Sequence, residues 1–314
     1  MEKIKIGIPR GLLYYKYGDL WENFFHELGF EVVTSPETNK SILSKGQSLA
    51  IDESCLSMKI YLGHVAYLID KVDYILVPRI CSLYKKEKMC TNFQALYDIV
   101  NNIFDIKIIN YNVDVEKGAT EKKAFMKMGK NLEKKRKQIK NAYYRATRIA
   151  KRKKEHRLIK QERLLKGSTN LKILLVSHSY NMYDHLIGKV ISKLLNELEV
   201  EVIYADIFDR KKIHKKYQEI SKKVYWTYSK ELLGSIIHYY DFIDGFILLS
   251  VFPCGPDSLT NEMCIRKMKN KPIINIIIDE LTGEAGLQTR IESFVDIIKQ
   301  RKEKEVKINN EENN

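Results

Sequence analysis

Residues 244–258 read DGFILLSVFPCGPDS, and this stretch decides the fold. Its first part, residues 244–250, is a short apolar run of the kind found in buried parallel strands. The amphipathic run from Leu259 to Met268 then predicts a helix. Cys254 therefore lies between the carboxyl end of a strand and a helix N-terminus, where open α/β sheets bind ligands. The helix dipole favours a thiolate there, although a small buried residue in a tight turn fits the same pattern.

Two more cysteines take comparable places. Cys55 opens a predicted helix that runs toward Asp70, and Cys90 ends the polar loop at residues 81–90, after a predicted strand at 74–78. None of the spacings is the close-set pattern of zinc fingers or bacterial ferredoxins. Three thiolates that only the fold brings together could hold one cubane iron–sulfur cluster, with its fourth iron open or bound by another group. Inert core packing is the alternative.

Strand and helix patterns alternate along both halves of the chain, which predicts parallel sheets with helices on both faces. Strands are predicted at 3–9, 30–35, 73–78, 106–111, 171–177, 200–204, 244–250 and 273–278. Helices are predicted at 19–29, 38–46, 55–70, 92–103, 184–198, 211–221, 229–240, 257–269 and 287–300. The two halves have similar architecture but no convincing sequence repeat.

These patterns predict an α/β fold with two Rossmann-like parallel-sheet lobes joined by a basic helical linker. We expect an N-terminal Rossmann-like lobe at residues 1–118, the linker at 119–169 and a C-terminal Rossmann-like lobe at 170–301. Residues 302–314 are predicted to be a disordered tail.

The net charge of +14 belongs to the linker. Residues 119–167 hold nineteen of the 54 Lys and Arg residues and four of the 40 acidic residues, which leaves 35 basic and 36 acidic residues elsewhere. A basic helix can bind nucleic acid or an anionic surface, but such a segment is more often a solvated face. We therefore do not expect a nucleic-acid partner.

The composition limits the location and the use of the cysteines. A chain of 314 residues with 44% hydrophobic residues can bury two cores. No apolar run approaches the about 18–20 residues of a membrane span, and no signal pattern is present, so we expect a cytoplasmic protein without a membrane partner. Five cysteines, an odd number, argue against a disulfide framework in that setting.

Five segments resemble the acyl-CoA dehydratase activase-related proteins, within the 2-hydroxyacyl-CoA dehydratase (2-hydroxyglutaryl-CoA dehydratase) superfamily. They are IGIPRGL at 6–12, ESC at 53–55 with GHV at 63–65, SHSYNMYD at 177–184, FPCGPDSL at 252–259 and DELTGEAGLQTR at 279–290. Their order and spacing also match the family. Together they span almost the whole chain apart from the linker and the tail.

The resemblance implies that Cys55, Cys90 and Cys254 ligate a 4Fe–4S cluster or half of a double-cubane cluster. Cys81, nine residues before Cys90, could approach the same metal site, whereas Cys264, about two turns into its helix, is predicted to be a core residue. Three departures from the family pattern concern the surroundings of the cluster. They are His178-Ser179-Tyr180 instead of His-Pro-Tyr, Cys90-Thr91 instead of Cys-Pro, and Glu280-Leu281-Thr282 instead of an acidic residue followed by His-Thr.

Three side chains are candidates for catalytic groups. His178 follows a strand and could donate a hydrogen bond to a sulfide or transfer protons, although a structural bond at a helix start explains it equally well. Glu280 and Glu284 lie in an acidic loop after the last strand, where one carboxylate could act as a general base; ion pairing between the lobes is the other interpretation. His64 is about 13 Å along its helix from Cys55 and too far to share its cluster.

The sequence and the resemblance together indicate a cytoplasmic iron–sulfur redox protein of an anaerobe. We expect low-potential electron transfer, or reductive chemistry on an acyl-CoA or another small substrate, at the cleft between the lobes. The chain has no P-loop and no phosphate loop of the sugar-kinase type, so an ATP-dependent activator protein would supply the electrons, as the resemblance implies. The alternative is a non-catalytic electron-transfer or scaffold subunit of a dehydratase-like complex, either a homodimer or a heterodimer by analogy. Whether the chain is itself a dehydratase or reductase is open at this point.

Overall fold

The computed structural model describes residues 3–311, which form two parallel sheets of four strands each. The strands of the N-terminal lobe are β1 (Lys5–Ile8), β2 (Glu31–Thr34), β3 (Tyr74–Ser82) and β4 (Ile108–Asp114). Those of the C-terminal lobe are β5 (Lys172–Val176), β6 (Glu201–Tyr204), β7 (Gly245–Val251) and β8 (Ile273–Ile278). All eight predicted strands are therefore confirmed, and with them the α/β fold of two lobes.

Twelve α-helices occur over the described range. In the N-terminal lobe they are α1 (Tyr14–Glu27), α2 (Lys40–Gln47), α3 (Leu56–Leu68) and α4 (Thr91–Ile103). The linker consists of α5 (Glu121–Asn131) and α6 (Arg136–Gly167). The C-terminal lobe contains α7 (Ser179–Met182), α8 (Gly188–Glu197), α9 (Arg210–Ile213), α10 (Thr227–Tyr239), α11 (Gly255–Lys267) and α12 (Glu284–Glu311).

The two sheets share one strand order, β2-β1-β3-β4 in the first and β6-β5-β7-β8 in the second. Every pair is parallel, and β7 is buried along its whole length. Helices cover both faces of such strands, so apolar residues occupy both faces as well. In each sheet the chain first moves to one side of its first strand and then to the other, so the strand order reverses between β1 and β3 and between β5 and β7. The crevice at the carboxyl ends of the strands next to such a reversal is where these sheets bind ligands.

The basic linker is helical, as predicted. Ile139, Ala142 and Ala146 near the start of α6 are buried in the core of the N-terminal lobe. Leu164 and Leu165 near its end pack against a core cluster of the C-terminal lobe. The 32-residue helix α6 therefore contacts both lobes through a narrow apolar stripe and leaves most of its basic side chains accessible.

Several predicted boundaries differ from the structure. The helix predicted at 211–221 is a short helix, α9, followed by a 3-10 turn at Lys216–Glu219, and α1 begins at Tyr14 and not at residue 19.

Two further differences concern Cys81 and the tail. β3 continues to Ser82 instead of ending at residue 78, because β4 pairs with it that far and the Ser82 hydroxyl donates to Asp114 Oδ1 at 2.7 Å. Cys81 consequently lies inside a strand and not in the loop. Residues 302–311, predicted as a disordered tail, continue α12, and Lys302 Nζ lies 3.0 Å from Asp244 Oδ1. Residues 312–314 lie outside the described residues, and the remaining domain boundaries stay predictions.

Candidate functional site

Three cysteines from distant parts of the chain share one cavity between the lobes. Cys55, Cys90 and Cys254 are the N-cap residues of α3, α4 and α11, which confirms their predicted positions at loop–helix junctions. All three line a cavity of about 210 Å³, here named the cysteine cavity. The structure thus brings the three cysteines together, while their role as ligands stays a prediction.

The strand order explains why the cavity lies there. Leu12 follows β1 and Cys90 follows β3, whereas His178 follows β5 and Cys254 follows β7, and all four residues line the cavity. β1 and β3 are neighbours at the reversal of one sheet, and β5 and β7 are neighbours at the reversal of the other. Two crevices of the kind that bind ligands in α/β sheets therefore face each other.

Backbone hydrogen bonds between the lobes fix the loops that carry the cysteines. The Leu56 N–H, next to Cys55, donates to the Phe252 carbonyl at 3.0 Å. On the other side, the Lys88 N–H donates to the Tyr225 carbonyl and the Thr227 N–H donates to the Lys88 carbonyl, each at 3.0 Å. Each cysteine loop is thus held by the opposite lobe, so relative movement of the lobes would change the separation of the thiols.

A buried acidic group lies beside Cys254. Asp257, in the first turn of α11, is 3% exposed, and His178 is 7% exposed. The Asp257 Oδ1 and His178 Nε2 atoms are 2.6 Å apart, but the contact does not have the alignment of a hydrogen bond. Neither carboxylate oxygen of Asp257 has a hydrogen-bond partner among the described residues. The His178 contact offsets part of the cost of burying this carboxylate, and Oδ2 keeps acceptor capacity that the described residues do not use.

Burial raises the pKa of two of the three thiols in the cysteine cavity. Burial raises the pKa of the Cys55 thiol. Burial, reinforced by the Asp257 carboxylate, raises the pKa of the Cys254 thiol as well. Tyr180 stacks on the His178 ring with centroids 5.0 Å apart, and burial raises its pKa well above the usual range. The surroundings of Cys55 and Cys254 therefore favour the neutral thiol over the thiolate.

Sequence reasoning missed several residues of this site. Asn92 Nδ2 lies 3.6 Å from Cys55 Sγ, within the range of a weak hydrogen bond to sulfur. Trp226 and Tyr180 form part of the apolar wall. Asp257 belongs to the stretch that revealed Cys254, and its place three residues later in the first turn of a helix was the available signal. Trp226 lies in the aromatic run at 225–228, directly before a predicted helix.

The cysteine cavity offers sulfur donors, but the described residues form no site for a single metal ion. Within residues 3–311, no group of three or more His, Cys, Asp or Glu side chains is placed to hold one metal ion. Thiolates around one zinc ion lie roughly 4 Å apart, because each metal–sulfur bond is about 2.3 Å long. A cluster of several irons takes its cysteine ligands from more widely separated positions. Three separate cysteines on one cavity wall therefore fit the group that the family resemblance implies, since soft sulfur is its ligand type.

The other cysteines and His64 lie away from the cavity. Cys81, within β3, does not line it, and burial together with the Asp114 carboxylate raises the pKa of its thiol. Cys264 is 1% exposed and belongs to the core of the C-terminal lobe, as predicted. His64 is fully buried, and its Nε2 lies 3.0 Å from the Thr38 hydroxyl.

The two acidic candidates also lie outside the cavity. Glu280 forms an ion pair with Lys59 of α3, which links the loop after β8 to the opposite lobe. Both side chains are largely shielded from solvent, so this pair fits the structural interpretation of Glu280 rather than a general base. Glu284 is exposed at the first turn of α12. Neither carboxylate lines the cysteine cavity.

None of the helices in the described part of the chain has the length and apolar character needed to cross a membrane.

Comparison with known sequences identifies a family. A model of the sequence family described as "CoA enzyme activase uncharacterised domain" matches residues 5–208, well over half of the chain. The match includes the N-terminal lobe, the linker and the first two strands of the C-terminal lobe. Cys55, Cys90 and His178 lie inside the matched range, whereas Cys254 lies beyond it. No curated protein matches the chain.

Two solved structures align with the chain over most of its length but superpose weakly. The crystal structure of ZnuA is 10% identical, with 95% of this chain and 99% of that chain covered and a TM-score of 0.30. The crystal structure of a sugar transporter from Clostridium phytofermentans is 12% identical, with 95% and 94% covered and a TM-score of 0.20. Likeness of this degree carries no argument about function.

Proposed function

We propose that this chain, which belongs to the family of the CoA enzyme activase uncharacterised domain, is an iron–sulfur redox protein of an acyl-CoA dehydratase-type system. The observation that carries the proposal is the cysteine cavity. Cys55, Cys90 and Cys254 come from three helix N-termini in two lobes and line the same enclosed space. Unrelated packing would not place three of five cysteines in one pocket at equivalent positions of their loops.

In this proposal Cys55, Cys90 and Cys254 hold a 4Fe–4S cluster or half of a double-cubane cluster. The bound cluster would supply one-electron transfer at low potential, which its hydrogen bonds and solvent exposure would tune. The N-termini of α3, α4 and α11 converge on the cavity, and their dipoles favour the negative charge of thiolates.

The remaining residues of the cavity prepare its interior. Tyr180 and Trp226 supply apolar surface beside the thiols. Asn92 places an N–H group beside Cys55 Sγ and can stabilise the thiolate there. His178 Nε2 lies 2.6 Å from the Asp257 carboxylate, so the two side chains form a polar pair beside Cys254. The His178 ring lines the cavity, where it is the candidate group for proton transfer to a bound small molecule, such as an acyl-CoA.

The proposed partner is an ATP-dependent activator that delivers the electron, because no nucleotide-binding P-loop is present in the sequence. The family description also favours a dehydratase as a component of the same system. A chain that only transfers electrons or serves as a scaffold subunit is the second form of the proposal. Turnover of an acyl-CoA by the isolated, reduced protein would distinguish an enzyme from such a subunit.

The test is anaerobic purification and reconstitution, followed by iron and sulfide analysis and electron paramagnetic resonance of the reduced protein. We expect about four irons and four sulfides per chain. Separate Ala substitutions of Cys55, Cys90 and Cys254 should each remove most of the iron. Cys264→Ala, which also deletes one thiol but at a core position, should retain it. Cys81→Ala shows whether that residue contributes a further ligand.

A folded wild-type protein that remains colourless and free of iron after reconstitution would overturn the proposal. So would iron that is retained equally in all the cysteine variants, because the metal would then be bound elsewhere.

A further inference from the structure

A second cavity, of about 580 Å³, lies under the linker helix and is here named the α6 cleft. Its floor contains Ser177 after β5, Asp206 after β6 and Val113 at the end of β4, so it too is at the carboxyl ends of strands. Its roof is the inner face of α6. A volume of this size is within the range of pockets that bind small molecules.

Cations outnumber carboxylates in the α6 cleft. The basic residues that line it are Lys16, Lys151, Lys153, Lys154, Arg157 and Arg210. The acidic residues that line it are Asp19, Glu121, Asp206 and Glu231. Burial raises the pKa of both Asp206 and Glu121, which further reduces the negative charge available to balance the cations.

Five of these six cations pair with a carboxylate, whereas the ammonium of Lys154 lies over the Phe208 ring, 5.5 Å from its centroid. Lys16 pairs with Glu231, Lys153 with Asp19 and Arg157 with Asp206. Over the described part of the chain, no carboxylate lies within ion-pairing distance of Lys154. Its ammonium group is accessible to solvent but enclosed by protein on several sides, and this partial burial, with Lys16 nearby, lowers its pKa. An unpaired cation inside a cleft is a site for an anion from outside the chain.

The floor of the cleft offers a polar group that is also unused. Ser177 is 2% exposed, and its hydroxyl has no hydrogen-bond partner within residues 3–311. A buried hydroxyl without a partner costs stability that a ligand acceptor can recover. Lys154 on the roof and Ser177 on the floor therefore both point to a missing polar ligand.

We propose that the α6 cleft binds a small molecule through a phosphate group, with Lys154 and Ser177 as its contacts. Phosphate is favoured over carboxylate because six cations line the cleft against four carboxylates, and this excess of positive charge suits a dianion better than a monoanion. His178 and Tyr228 line both this cleft and the cysteine cavity. A ligand held by its phosphate under α6 can therefore extend to the wall of the cysteine cavity.

The proposed phosphate site in the α6 cleft does not depend on a cluster, so it can be tested on the metal-free form of the protein. Isothermal titration calorimetry at low ionic strength would use pyrophosphate, inorganic phosphate and coenzyme A as separate probes. We expect saturable binding of pyrophosphate at one site that weakens as salt is added. Tighter binding of coenzyme A than of pyrophosphate would assign the phosphate to a CoA ester, and the reverse would assign it to another phosphorylated compound.

The matched pair of variants is Lys154→Glu and Lys160→Glu. Both make the same charge change on α6, but Lys160 is exposed and does not line the cleft. Lys154→Glu should weaken pyrophosphate binding at least about tenfold, and Lys160→Glu should change it less than about twofold. Ser177→Ala should weaken it as well, with an unchanged circular dichroism spectrum in each case. Equal weakening by both Glu variants, or no binding of any of the three probes, would overturn the proposal.

Discussion

The N-terminal and C-terminal lobes use the same strand order, and the likeness extends to single residues. α3 and α10 have 13 residues each and occupy the same place before the third strand of their lobes. Gly63 lies eight residues after Cys55, and Gly234 lies eight residues after Trp226. Each glycine lets its helix contact the preceding helix of its own lobe, at the Ile42 carbonyl in one lobe and the Ile213 carbonyl in the other.

A second correspondence lies at the opposite end of the sheets. The Lys5 N–H donates to Asp73 Oδ2 at 2.7 Å, and the Lys172 N–H donates to Asp244 Oδ2 at 2.8 Å. In both lobes the aspartate N–H returns a hydrogen bond to the lysine carbonyl. The aspartate stands just before the third strand and the lysine begins the first. The two lobes are therefore one structural unit used twice.

The lobes differ where they face each other, and this difference teaches what the site requires. Cys90 and Cys254 correspond, since each caps the helix that follows the third strand of its lobe. Cys55 corresponds to Trp226, since these residues cap α3 and α10. The repeated backbone thus offers four equivalent positions around the cavity, and sulfur occupies three of them. The three predictions that follow address this comparison, beginning with the largest effect.

Alanine at the two equivalent glycines should destabilise the lobes unequally. A Cβ at Gly63 would lie 2.0 Å from the Ile42 carbonyl oxygen, whereas a Cβ at Gly234 would lie 2.7 Å from the Ile213 oxygen. Alanine gains up to about 1 kcal/mol in helix propensity, but a backbone overlap near 2 Å forces α2 and α3 apart. We expect Gly63→Ala to lower the free energy of unfolding by about 3 kcal/mol and Gly234→Ala by about 1 kcal/mol.

Urea denaturation followed by circular dichroism measures both free energies. Gly29→Ala is unsuitable as a control because its φ of +85° adds backbone strain. Gly167→Ala, at the end of α6 with open space around it, is the better control. A neutral Gly63→Ala variant would show that α2 and α3 are not packed as closely as described.

The residues that follow these glycines predict a difference in pH dependence. His64 follows Gly63 and is fully buried, whereas Ser235 takes its place after Gly234. Burial, with a contribution from Arg10, lowers the pKa of His64 to about 3. The unfolded chain, with a His pKa of about 6.5, therefore binds the proton first as the pH falls. The contribution of the neutral, buried His64 to the free energy of unfolding is therefore present in full above about pH 6.5 and is lost progressively below it.

Between pH 7 and pH 5, the contribution of His64 to the free energy of unfolding should fall by about 2 kcal/mol. Asp184 acts in the opposite sense, because burial raises its pKa and the folded chain keeps that proton to higher pH. Comparison of the wild type with His64→Ser removes the shared contribution of Asp184. The variant should lose about 2 kcal/mol less than the wild type between pH 7 and pH 5 in urea titrations. Parallel pH profiles for the two proteins would contradict this assignment.

The sequence predicted the strands well because β7 and its counterparts are short apolar runs between clear turn signals. It also placed Cys55, Cys90 and Cys254 at helix starts, since each lies at or just before a segment with a predicted helix. The meeting of the three cysteines at the cleft between the lobes was expected from the family resemblance and not from their spacing, because this proximity comes from two sheets facing each other. The place of Asp257 beside Cys254 was not expected.

The similar architecture of the two halves was visible in the sequence, but a repeat was not, because the residues that the lobes share are isolated ones such as Gly63 and Gly234. The position of Cys81 inside a strand could not be predicted from local sequence either. β3 extends past Cys81 because it pairs with β4, which is distant along the chain.

The smallest expected effect concerns the fourth equivalent position and rests on the proposed cluster. Trp226 has the extended backbone of an N-cap, with φ −79° and ψ 130°, and Cys55 has φ −64° and ψ 150°. A cysteine at residue 226 would therefore start its side chain from a backbone conformation like that of Cys55 and at the wall of the same cavity. Trp226→Cys should slow the loss of iron to a chelator at least about tenfold relative to Trp226→Ser, because it adds a thiolate.

Trp226→Ser is the control because it removes the same indole without supplying sulfur. Iron content, the rate of chelation and the electron paramagnetic resonance spectrum would be measured for both variants after anaerobic reconstitution. A changed spectrum in the Cys variant alone would mean that the tryptophan stands where the repeated unit could place a fourth ligand, leaving one iron without a cysteine. Equal rates of iron loss from the two variants would contradict this prediction. They would mean that the lobes share a backbone conformation, but that a side chain at residue 226 is too distant from the metal to bind it.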